Sequence, residues 1–87
     1  QNNSWKIYPS LANADDNIQI INNSNQSKVS VSIYNVDGQL KASTNNATVI
    51  KLSSGSFSLS AKELAPGIYF AVISDQKKKT TLKFVVQ

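Results

Sequence analysis

Along most of this chain, short runs alternate between apolar and polar residues and are then cut off by turn formers. A period of two places alternate side chains on opposite faces of an extended strand. A helix would instead repeat its apolar residues three and four apart. The clearest run is "KVSVSIYNV" (28–36), with Val29, Val31 and Ile33 on one face and Ser30, Ser32 and Tyr34 on the other. Asp37-Gly38 follows, a pair able to take the positive φ angles of a tight hairpin turn, and "QLKAS" (39–43) is the return strand. The same pattern predicts strands at "SWKIY" (4–8), "NIQIIN" (17–22), "TVIKL" (48–52) and "SFSLS" (56–60). Pro9 closes the first of these, since it has no N–H to give to a ladder. "LANADDN" (11–17) and "NSNQS" (23–27) read as loops, and "AKELAPG" (61–67) as one helical turn or a loop stopped by Pro66-Gly67.

The alternation fails in one place. In "IYFAVIS" (68–74), Ile68, Phe70 and Val72 lie on one side and Tyr69, Ala71 and Ile73 on the other, so both faces are apolar. Such a strand is either central and covered twice, or it offers a face to a partner. After the charged turn "DQKK" (75–78), "KTTLKFVVQ" (79–87) closes the chain with Leu82, Phe84 and Val86 facing one way. About seven strands with no long helix predict an all-β fold, two antiparallel sheets packed as an immunoglobulin-like β-sandwich. One domain is expected over residues 5–87, with 1–4 as the end of a linker. The Cys…Trp…Cys spacing of true immunoglobulin domains is missing, so the likeness is one of architecture.

Composition narrows the chemistry. The 87 residues contain neither His nor Cys. A Ser-His or Cys-His nucleophile is therefore excluded, zinc and copper lose their usual ligands, and no disulfide can staple the thin core. Asp15 and Asp16, with Asn13 and Asn17, could offer oxygen ligands to calcium, but the spacing is irregular and no bidentate Glu follows, so a solvated turn is expected. Glu63 beside Lys62 reads as a surface pair or cap residue. Gly38, Gly55 and Gly67 are too far apart to cradle a phosphate. No catalytic group, metal or cofactor is expected, and hence no enzyme.

The net charge of +4 comes from nine Lys without any Arg, the residue whose planar fork reads guanine and clamps phosphate. The lysines are scattered apart from a run at 77–79, which predicts a solvated surface rather than a nucleic-acid site. The polar opening "QNNSWK" has no signal-peptide core, and no apolar run is long enough to insert in a membrane. The chain also reads as a piece of a longer precursor. Trp5 and the three tyrosines, Tyr8, Tyr34 and Tyr69, could stack on sugar, but Trp5, Tyr34 and Tyr69 are expected at the core or its edge with their polar ends bonded. The N-x-[ST] matches at Asn2, Asn22, Asn25 and Asn46 arise by chance in so Asn- and Ser-rich a chain.

Four blocks together resemble a known family: "KIYPS" (6–10), "VSIYNVDGQL" (31–40), "LAPGIYFAVIS" (64–74) and "KTTLKFVVQ" (79–87). Their order and spacing resemble the type A C-terminal sorting domain of cargo exported by the Bacteroidota type IX secretion system. The matching positions are Tyr8, Pro9, Tyr34, Asn35, Gly38, Gln39, Leu64, Gly67, Tyr69, Phe70, Lys83, Phe84 and Val85. Two departures stand out: the family's Tyr-Pro-Asn-Pro is "YPSLAN" here, and its final basic residue is Gln87. The resemblance implies an address read by translocon components and an outer-membrane shuttle protein. A surface sortase would then remove it and attach the cargo to lipopolysaccharide, giving a secreted or cell-surface protein.

On this basis Gly67, Tyr69, Phe70, Lys83, Phe84 and Val85 are expected to serve partner recognition, and Pro9, Asp37, Gly38 and Gly67 to shape turns. The last strand is expected to be an open edge that can accept a partner strand or a second copy as a dimer. Two other readings are a carbohydrate-binding or adhesion module, stacking sugar on Trp5 or surface tyrosines, and an inert spacer.

Overall fold

In the computed structural model, which describes residues 5–22, 28–76 and 78–87, strand pairing accounts for most of the chain. Nine strands occur among the described residues: β1 (Lys6–Tyr8), β2 (Leu11–Ala12), β3 (Asn17–Ile21), β4 (Ser30–Asn35), β5 (Leu40–Ser43), β6 (Ile50–Ser53), β7 (Ser56–Ser60), β8 (Gly67–Ser74) and β9 (Lys79–Val86). A single 3-10 turn, Ala61–Glu63, sits between β7 and β8, where Ser60 caps it by accepting from the Lys62 N–H. One sheet has the order β1-β3-β7-β6, the other β2-β9-β8-β4-β5. The predicted all-β sandwich is present. The expected loop at 23–27 and linker at 1–4 lie outside the described residues.

The alternation explains the core. Ile18 and Ile20 of β3, Val31 and Ile33 of β4, Phe57 and Leu59 of β7, Ala71 and Ile73 of β8, and Phe84 and Val86 of β9 are buried between the sheets. Each occupies every second position of its strand, so the inner faces meet as an apolar layer and the outer faces stay in solvent. Trp5 is buried just ahead of β1, with its ring centroid 5.9 Å from that of Phe57.

Three local expectations need correction. Within "LANADDN", Leu11–Ala12 forms β2, which pairs parallel with the end of β9 (Leu11 opposite Val85, Ala12 opposite Val86). The Ser10 carbonyl accepts from the Val85 N–H and the Ala12 carbonyl from the Gln87 N–H, both at 2.8 Å. The physical reason is that β9 has backbone groups to satisfy on its far side, and Ala12 is small enough to enter the core there. Hence the last strand is an open edge only over its first part.

Four residues, 36–39, join β4 to β5, and positive φ in this hairpin falls on Gly38 alone (+82°), not on Asp37. Asn35 organises it: its side-chain oxygen accepts from the N–H groups of Asp37 (2.9 Å) and Gln39 (3.0 Å). Finally, the strand expected from Thr48 begins at Ile50. Thr48 instead turns back, and its Oγ1 accepts from the N–H of the buried Ser43 at 2.8 Å.

Candidate recognition face

Strand β8 is central in the five-stranded sheet, flanked along its length by β4 and β9. Its inner face (Tyr69, Ala71, Ile73) is buried. Its outer face (Ile68, Phe70, Val72) has no second layer over it, and Ile68 is 41% exposed. Strand pairing assembles the outer face into rows. Leu11, Val85 and Ile68 are neighbours across β2, β9 and β8. The next row runs Lys83, Phe70, Tyr34 and Leu40 across β9, β8, β4 and β5. Thr81, Val72 and Ser32 form a third, and Lys79, Ser74 and Ser30 a fourth. The first two rows are therefore largely apolar, with Leu11 and Leu40 exposed at their ends, and Lys83 stands among them.

The other sheet looks different from outside. Its outer positions include Asn17 and Gln19 on β3 and Ser56, Ser58 and Ser60 on β7. Apolar side chains are exposed on that sheet too, Tyr8 and Ile50 on its two edge strands and Ile21 on the inner strand β3.

The six residues expected to serve recognition are split by this geometry. Phe70, Lys83 and Val85 share the outer face of the five-stranded sheet. Tyr69 and Phe84 are on the inner face, buried and stacked with ring centroids 5.6 Å apart and planes at 23°. The Tyr69 hydroxyl donates to the Ala65 carbonyl at 2.5 Å, tying the segment before β8 to the core. A partner therefore meets these two rings only through the face they support. Gly67 opens β8 at φ +157°, a conformation that side chains rarely adopt, while a Cβ there would touch nothing closer than 3.9 Å. The demand at this position is thus on backbone conformation rather than on space.

Of the other sequence candidates, Pro9 follows a cis peptide bond in the crossing from β1 to β2. The Asp16 carboxylate accepts from the Asn13 N–H at 2.8 Å, a turn contact. Among the described residues, no three acidic side chains gather where a metal could be held. With Trp5 in the core, a sugar-stacking platform lacks its largest ring. The residues missed in sequence are Leu11 and Leu40, which extend the apolar rows to the sheet's edges; neither lies in a strongly alternating segment.

The domain is a β-sandwich whose five-stranded sheet turns an uncovered, partly apolar face outward. The family to which it belongs is that of the secretion system C-terminal sorting domains, whose model matches residues 6–87. Membership makes the domain a sorting signal of type IX secretion and its protein a secreted or surface one.

Solved structures share the fold, among them these two. One is PorZ, an essential surface component of the type IX secretion system of Porphyromonas gingivalis (TM-score 0.70, 20% identity, 97% of this chain). The chain spans 11% of the length of that protein. The other is CopC of Methylosinus trichosporium OB3b (TM-score 0.69, 17% identity, 99% of this chain and 94% of that one). No curated protein sequence matches the chain.

Proposed function

We propose that this domain is the folded address of a type IX cargo, and that the export machinery reads it on the outer face of the five-stranded sheet. Translocon components and an outer-membrane shuttle protein engage this face. A surface sortase then cuts ahead of the domain and joins the cargo to the cell surface. The observation that carries the proposal is the meeting of Phe70, Lys83 and Val85, from two separate family-like blocks, on one uncovered apolar face.

The test fuses the domain behind a secreted reporter in a type IX-competent host and measures reporter on intact cells. Deleting residues 83–87 would be a poor probe, because it removes Phe84 and Val86 from the core and cannot separate unfolding from lost recognition. Phe70→Ser is the better one. Surface reporter should fall about tenfold while the purified variant keeps a β-rich circular-dichroism spectrum. Export of folded Phe70→Ser at the wild-type level would reject this face.

A further inference from the structure

The outer face of the five-stranded sheet carries charge of one sign. Lys79 and Lys83 project from β9 on that side, both exposed, and none of the residues in the four rows is acidic. One acidic residue, Asp75, lies in the turn between β8 and β9, next to Ser74 of the fourth row, and its carboxylate accepts from the Lys78 N–H at 2.9 Å. On the footprint of five strands by seven residues, the face measures roughly 20 by 20 Å, about 400 Å². That is well below the roughly 800 Å² per partner of a stable complex and within the range of a transient encounter. In such encounters opposite charge contributes mainly by speeding association and rejecting wrong partners.

Resting on the address reading above, we infer that the occupant of this face is a protein surface that is apolar where it meets the first two rows and carries carboxylates opposite Lys79 and Lys83. A second copy of the chain fits poorly, because the four rows offer no acidic residue for its lysines to meet. A lipid surface also fits poorly. The two aromatic rings of the face, Phe70 and Tyr34, are half-buried, and Trp5, the side chain best suited to a membrane interface, is in the core.

The experiment uses the same reporter fusion with Lys79→Glu/Lys83→Glu and Lys79→Arg/Lys83→Arg, each checked for folding by thermal melt. Charge reversal should lower surface reporter at least tenfold, and the arginine pair should stay within twofold of wild type. Reversal that leaves export within twofold overturns the inference. In parallel, the purified domain is pelleted with phosphatidylcholine vesicles containing phosphatidylglycerol and sedimented alone at tens of micromolar. Vesicle binding abolished by the reversal would replace the protein partner with a lipid surface. A dimer abolished by Phe70→Ser would replace it with a second copy. Failure of the wild-type fusion to reach the surface is a separate result and rejects the address reading itself.

Discussion

Phe84 and Val85 are neighbours in sequence and lie on opposite faces of β9, so substituting each in turn tests the assignment of faces directly. Phe84 is 1% exposed and stacked on Tyr69. Truncating a buried Phe to Ala costs about 3–5 kcal/mol. At roughly 0.05–0.15 kcal/mol per residue, a domain of this size has about 4–13 kcal/mol in total, so Phe84→Ala removes a large share of it. With a urea m value of about 1.5 kcal/mol/M, the unfolding midpoint should fall by about 2–3 M. Val85→Ser, on the outer face, should cost less than about 1 kcal/mol and shift the midpoint by well under 1 M. Phe84→Leu, which keeps most of the volume, should fall between them. The assay is equilibrium urea unfolding followed by tryptophan fluorescence, since Trp5 is buried against Phe57. A larger shift for Val85→Ser than for Phe84→Ala would refute the placement of both residues and with it the recognition face.

Two further substitutions probe local structure. Tyr69→Phe removes the hydroxyl that donates to Ala65 while leaving the ring stack, so stability should drop by about 1 kcal/mol, seen as a melting temperature about 4–8 °C lower; an unchanged melt would mean that bond adds nothing. Gly38→Ala places a side chain at φ +82° with nothing within 4 Å of the new Cβ. Its cost is therefore backbone strain alone, about 1–2 kcal/mol, and Gly38→Asn should recover part of it; equal melts for the Ala and Asn variants would contradict this account.

Most of the sandwich was legible because burial on one face forces a period of two, and β3, β4, β7 and β9 obey it. The limits were physical. Strand β2 is too short to show a period, and its existence follows from what β9 lacks, which a local pattern cannot contain. The turn at 36–38 is set by the Asn35 side chain as much as by Asp37-Gly38.

For the site, the alternation on β9 already separated Phe84 from Lys83 and Val85, yet grouping residues by motif put all three in one recognition set. On β8 the phase was hidden, since either face could be the core. The cross-strand pairing of Tyr69 with Phe84 decides it.

That two-faced strand also bears on how mispairing is avoided. Slipping β8 by one position would exchange one apolar trio for another, with little penalty from its own side chains. The same error in β9 would drive Lys83 into the apolar interior and expel Phe84. The central strand is thus kept in phase by its neighbour, and Lys83 is the tooth that stops the ladder from skipping.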